Sequence, residues 1–270
     1  MCTLLFAHRA DPEYPLVIAA NRDEHYGRAT QRAGYWRDAP EVLGGRDGVA
    51  GGTWMALRRD GRWAALTNVR EPGRYLEGAP SRGDLVRNFL VGDSARTSAE
   101  YLESVAARAQ DYNGFNLVVG VAGGELWYLS NRAGSPARPQ KVAPGVHGVS
   151  NALLDTPWPK VARGREALGA ALASAREEGG PPDVGGLLEM LHDPRQALDE
   201  QLPSTGVSLE LERMLSPLFI ATERYGTCSS TVLVVDRHGR ARFVERTTNP
   251  RAGDDAPDAD FGLQLSARAP

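Results

Sequence analysis

Lysine is nearly missing: Lys141 and Lys160 are the only two in 270 residues, so the positive charge is almost all arginine. By itself this is a compositional bias without functional weight. Cysteine is equally scarce, and Cys2 and Cys228, near opposite ends of the chain, make no disulfide framework. A reducing compartment keeps both as thiols. No apolar run approaches the roughly 18 to 20 residues of a membrane-spanning helix. No positively charged leader precedes the short apolar opening Cys2-Thr3-Leu4-Leu5-Phe6-Ala7, so a cytoplasmic address is expected. With 31 basic and 34 acidic residues the net charge is -3. That leaves no reservoir of positive potential for a phosphate backbone, and nucleic acid is not an expected partner. His8, His25, His147, His192 and His238 are scattered without metal-ligand spacing, which argues against a bound metal, although any one could ligate a haem.

The content that is present, 41% hydrophobic and 24% charged, suits one large folded domain. Short apolar runs at Cys2–His8 and Leu16–Asn21 read as a hairpin turned by Asp11-Pro12. A glycine-punctuated loop is expected from Gly44 to Gly52. Strands then follow at 53–59 and 63–68 around Asp60-Gly61, at 115–121 and 125–130 around Gly123-Gly124, and at 146–150, 231–236 and 242–246. Helical spacing appears at 82–91, 98–110, 158–178 and 184–192, with Asp155 as the expected cap of the third. Runs of strands followed by runs of helices predict layered antiparallel sheets covered by helices. One domain over 1–248 is expected, with the Ala-, Asp-, Gly- and Pro-rich remainder 249–270 as a flexible tail.

Cys2 is the most informative residue. If Met1 is removed, its thiol and a free α-amine share one residue, and an amine titrating near pH 7.7 to 8.0 can take the thiol proton. Asn21-Arg22-Asp23-Glu24 sets four polar groups against an apolar strand, and a carboxylate there can hold an amine while arginine grips another carboxylate. Asn68 and Asn151 each close a strand, and their amides are candidate oxyanion donors. The glycine pairs at 44–45 and 51–52 lack the lysine and hydroxyl spacing of a phosphate loop. Their expected task is to let backbone adopt positive φ beside Trp54.

Together, the opening Met-Cys, Asn21 to Glu24, Gly51-Gly52-Thr53-Trp54, Leu66-Thr67-Asn68-Val69-Arg70, Ser81-Arg82-Gly83, Gly114-Phe115-Asn116-Leu117, Ser150-Asn151 with Pro157-Trp158-Pro159-Lys160, and Tyr225-Gly226-Thr227 form a recognisable order. The sequence resembles the Transport and Golgi organisation family, also named for its Asn-Arg-Asp-Glu signature. That family is similar in turn to N-terminal-nucleophile hydrolases, which implies an α+β, four-layer αββα sandwich of antiparallel sheets. From the cysteine branch, with its bile-salt hydrolases and penicillin V acylase, the resemblance implies Cys2 as nucleophile and Asp23 as the acid steadying its amine. Asn68 and Asn151 would serve the oxyanion and the amine, and Asn21, Arg22, Glu24 and Trp54 would contact substrate. It departs at position 228, where cysteine stands in place of an arginine and a permanent charge is absent. Two functions follow as expectations. One is hydrolysis or transfer of an amide or thioester acyl group from a small molecule, with no cofactor required. The other is carriage of haem, with Arg22 as a partner for its propionates.

Overall fold

The computed structural model describes residues 2–93, 96–250 and 258–266. The elements begin with β1 (Cys2–His8), β2 (Leu16–His25), β3 (Thr30–Trp36), β4 (Ala39–Asp47), β5 (Met55–Arg58), β6 (Arg62–Asn68), α1 (Gly83–Val91), α2 (Ser98–Ala106), β7 (Phe115–Val121), β8 (Leu126–Ser130) and β9 (Gln140–Lys141). Then come β10 (Gly145–Val149), α3 (Pro159–Glu178), α4 (Val184–Leu191), α5 (Leu209–Met214), β11 (Tyr225–Val235), β12 (Arg240–Thr247) and β13 (Ala259–Gln264). They form two antiparallel sheets, ordered β10-β1-β2-β11-β12-β13 and β3-β4-β5-β6-β7-β8-β9.

The pleat explains the layers. Successive side chains leave a strand on opposite faces, and here both faces of each sheet are apolar. From the first sheet Leu4, Phe6, Ile18 and Leu233 meet Leu57, Trp63 and Val118 of the second, forming the inter-sheet core. On the outer face of the first sheet Leu5, Ala7, Val17 and Ala19 lie beneath Leu168, Leu187 and Leu191 of α3 and α4. On the outer face of the second, Ala64, Leu117 and Val119 lie beneath Leu85, Phe89 and Leu102 of α1 and α2. The order is helix, sheet, sheet, helix, the expected α+β sandwich.

Several local expectations are corrected. The expected loop from Gly44 to Gly52 is strand in its first part: Gly44 to Asp47 close β4, with Gly44 and Gly45 inside the strand, and the turn begins only at Gly48. A Cβ on Gly44 would lie 2.6 Å from the Ala56 Cβ, and one on Gly45 would collide with the Trp54 ring. These glycines permit close approach, and of the glycines from 44 to 52 only Gly51 has positive φ, at 75°. Asp155 does not cap α3. Its carboxylate accepts from Gly148 N at 2.9 Å and meets His147 Nδ1 at 2.7 Å, while Trp158 occupies the cap ahead of Pro159. The expected tail supplies β13, which pairs with β12 from Arg240↔Gln264 to Glu245↔Ala259. Its alternating burial, with Phe261 against Tyr35 at 5.8 Å, gives it the apolar face its composition hid. The rest of that expected tail, 251–257 and 267–270, lies outside the described residues.

Candidate active site

The polar run Asn21 to Glu24 lies within β2, between β1 and β11, and does not follow it as a turn. The β1–β2 register sets Cys2 opposite Arg22. Both belong to the set that faces the second sheet, alongside Leu4 and Ala20, whereas Asn21 and Asp23 belong to the set facing the helices. Arg22 is fixed from three sides. Its Nη1 donates to Thr30 Oγ1 at 2.9 Å, its Nη2 stands 3.9 Å from Asp47 Oδ2, and its guanidinium lies 4.3 Å from the Trp54 ring centroid.

A β-bulge completes the arrangement. Pairing with β11 passes from Asp23↔Thr227 to Arg22↔Ser229, leaving Cys228 as the extra residue. Thr227 Oγ1 thereby donates to Asp23 Oδ1 at 2.8 Å. The Cys228 thiol donates to the Glu24 and Gly226 carbonyls, and burial pushes it up to about 11.

A cavity of about 380 Å³ opens at this end of the sheets, and Cys2, Arg22, Asp23, Glu24, Trp54 and Asn68 are among its lining residues. Asn68 ends β6, and its carboxamide makes no hydrogen bond among the described residues. Asn151 is brought close but does not line the cavity. Its Nδ2 donates to the Asn68 carbonyl at 2.9 Å, and the Ser150 hydroxyl lies 3.2 Å from its Oδ1 and 3.0 Å from the Cys2 carbonyl. Asn21 is not at the cavity either. Its amide donates to the Leu191 and Leu218 carbonyls at 2.8 and 2.9 Å, and its Oδ1 accepts from Ser230. The pleat turns it under the helix layer, so it is a tie between sheet and helices. No histidine lines the cavity, and among the described residues no group of three His, Cys, Asp or Glu side chains could hold a metal.

Burial dominates the electrostatics. It pushes the Cys2 thiol up, and the Asp23 charge adds to this while Arg22 opposes it. Burial also pushes the Asp23 carboxyl up, opposed chiefly by Lys160. Lys160, which sequence reasoning passed over, sits in the first turn of α3 at 1% exposure, and its Nζ has no hydrogen-bond partner among the described residues. Burial lowers it to about 8 against the pull of Asp23. Behind it Arg70 Nη1 meets Glu212 Oε2 at 2.5 Å and the guanidinium lies over Trp158. The buried Tyr225 hydroxyl is pushed up by burial and by the charge of Asp23. The available signals were the rarity of lysine and the place of Arg70 and Lys160 in the motifs that also carry Asn68 and Asn151.

A family model described as Transport and Golgi organisation 2 matches residues 1–250. The chain belongs to that family. The Transport and Golgi organization protein 2 homolog of Bos taurus is 36% identical over 265 residues, spanning 92% of this chain and 93% of the relative. The Homo sapiens homolog is 35% identical over the same shares, and the Drosophila melanogaster protein is 27% identical over 92% of each chain. Among solved structures, the chain is similar to a mutant conjugated bile acid hydrolase from Clostridium perfringens, with a TM-score of 0.48 and 10% identity over 100% of this chain and 99% of that one. It is also similar to penicillin V acylase from Agrobacterium tumefaciens, with a TM-score of 0.44 and 12% identity over 98% and 86%. The family name assigns no chemistry, and these structural likenesses are too distant to carry any. Among the described residues, no helix is long and apolar enough to cross a membrane.

Proposed function

We propose that the chain is an acyl-transfer enzyme of the N-terminal-nucleophile type, acting on a small amide or thioester after Met1 is removed. The observation that carries this reading is that Cys2, Asp23 and the uncommitted carboxamide of Asn68 line one cavity. A thiol raised by burial does not rest as thiolate at neutral pH, so its proton must leave within the site. The α-amine of Cys2 accepts it, with Asp23 as the carboxylate that favours the charged amine. The sulfur then bonds to the carbonyl carbon, and the Asn68 amide donates to the oxyanion. Collapse breaks the bond to nitrogen or sulfur, and the leaving group takes the proton from the amine. Water attacks the thioester of Cys2, restoring thiol and releasing acid; an amine or thiol in place of water gives transfer.

Intact-mass spectrometry of the purified chain, before and after exposure to a set of activated acyl esters, tests the reading. Loss of Met1 and a single acyl adduct on Cys2, absent in Cys2→Ala, are expected. A retained Met1 or an adduct count unchanged by Cys2→Ala refutes it. Haemin titration followed by absorbance is the contrasting assay, and saturable binding near one equivalent would favour carriage instead.

A further inference from the structure

The charged side chains around the Cys2 cavity are satisfied within the protein, with one exception. Asp47 accepts from Arg28 at 2.7 Å and from the amides of Val49 and Ala50, and Arg22 stands 3.9 Å from it. Glu24 accepts from His25 N and lies 3.7 Å from Arg28. Asp23 holds the Thr227 hydroxyl. Arg82 lines the same cavity, and among the described residues no carboxylate lies within ion-pair distance of it. Its one hydrogen bond is from Nη1 to the Gly114 carbonyl, at 2.9 Å, which leaves most of its planar donor set uncommitted. Ser81, next to it on the wall, makes no side-chain hydrogen bond among the described residues.

The backbone that carries this guanidinium is also held in place. It precedes the first turn of α1, and that turn is wedged against the 52–53 backbone: Thr53 N donates to the Gly83 carbonyl at 3.3 Å, and a Cβ on Gly52 would lie 2.5 Å from the Gly83 carbonyl carbon. A half-buried cation, fixed and without an internal counter-ion, is costly to a fold unless an anion arrives. Burial acts on Arg82 in the direction that cost implies.

We propose that Arg82, with Ser81, anchors a carboxylate on the acyl substrate, so that the cavity selects small acyl compounds bearing a carboxylate over their neutral counterparts. The proposal rests on the acyl-transfer reading for its substrate class. The planar fork of arginine matches a carboxylate through two parallel hydrogen bonds, with the serine hydroxyl as a third donor. Arg82 is therefore a specificity-determining residue that acts on binding whether or not the sulfur reacts.

The test uses matched probes and separates the two readings. Binding to the full chain carrying Cys2→Ala is measured by calorimetry for N-acylglycines from acetyl to octanoyl and for the corresponding N-acylglycinamides. A second arm uses N-alkylsuccinamic acids and their methyl esters, which place the charge on the acyl half. At least a tenfold preference for the acid is expected in one arm, and the arm that shows it assigns the half of the substrate that Arg82 reads. Arg82→Leu should abolish that preference, Arg82→Lys should retain part of it, and Ser81→Ala should weaken it with the fold undisturbed. Equal affinity for acid and neutral probe in both arms, a preference that survives Arg82→Leu, or no saturable binding of any acid overturns the proposal. Adduct formation on Cys2 in the otherwise unaltered chain is scored separately, so failure of the nucleophile leaves the binding result standing.

Discussion

The Thr227 hydroxyl donates to Asp23 Oδ1 at 2.8 Å, across the point where β11 gains an extra residue. Without that bulge, the pairing that sets Ser229 against Arg22 would bring Cys228 opposite Asp23, so the irregularity brings a hydroxyl to the buried carboxylate. Thr227→Val preserves the shape and removes the donor. The hydroxyl also accepts from Ile220 N at 3.0 Å, and leaving buried polar groups without their partner costs about 1–3 kcal/mol, so a loss of that size in urea unfolding at pH 7 is expected. The hydroxyl also favours the ionised carboxylate, so its loss raises Asp23 further and moves the acid limb of Cys2 acylation to higher pH. An unchanged acid limb would sever Asp23 from the chemistry.

Lys160 has the opposite sign. Burial lowers it to about 8 from 10.5, so between those values the unfolded chain binds more protons and stability rises with pH. Below about pH 8 the full penalty, about 3 kcal/mol at 1.36 per unit, is present. Lys160→Met should therefore stabilise the fold at pH 7, with the gain shrinking as pH climbs toward 10. Because Lys160 is the chief group holding Asp23 down, the same variant should move the acylation acid limb upward. Denaturant curves at pH 7 and 9.5 decide the first point, and a variant less stable at pH 7 contradicts it.

Between β10 and the loop before α3, His147 Nδ1 meets Asp155 Oδ2 at 2.7 Å. Burial lowers His147, but the hydrogen bond and charge of Asp155 together with the bond to the Ala143 carbonyl outweigh it, and its value rises above 6.5; Asp155, despite burial, falls below 3.8 through His147, the Gly148 amide and Arg165 acting together. The His147 contribution is full below pH 6.5 and fades as pH rises through its folded value. That of Asp155 is full above 3.8 and fades on acidification. Asp155→Asn should lower Tm most near pH 5.5 and less at pH 8.5, where Arg165 at 3.4 Å still pairs with the carboxylate. A Tm difference independent of pH would contradict this assignment.

Two glycines give a matched pair. Gly44→Ala sets a methyl 2.6 Å from the Ala56 Cβ and 2.7 Å from the Met55 carbonyl oxygen, and overpacking of that kind costs about 1–3 kcal/mol. Gly169→Ala, inside α3 with nothing within 4 Å, should gain about 0.5–1 kcal/mol through helix propensity. Both are read from the midpoint of chemical unfolding.

The periodic strands were legible from sequence, because pleat and apolar alternation are the same fact: Cys2–His8 and Phe115–Val121 are observed with the bounds expected. What failed was glycine. Gly44 and Gly45 look like loop residues until Ala56 and Trp54 are seen pressed against them, a contact between segments that local sequence does not contain. The site was legible in part for the same reason. Cys2, Arg22, Asp23, Glu24, Trp54 and Asn68 converge, but Asn21 was grouped with its neighbours by adjacency, while it lies two residues further along the strand than Asp23 and its amide is committed to the Leu191 and Leu218 carbonyls. Lys160 was missed because a lysine invites no attention until its burial is known.

Strand β13 bears on how the chain can be handled. It covers the edge of β12 and seats Phe261 against Tyr35 of the facing sheet, so the last stretch of polypeptide straps the two halves of the sandwich together. A version trimmed after residue 248, as composition alone would suggest, would bare the backbone of β12 and invite self-association through that margin. Affinity tags and fusions at this end belong beyond Ser266, with the strap left whole.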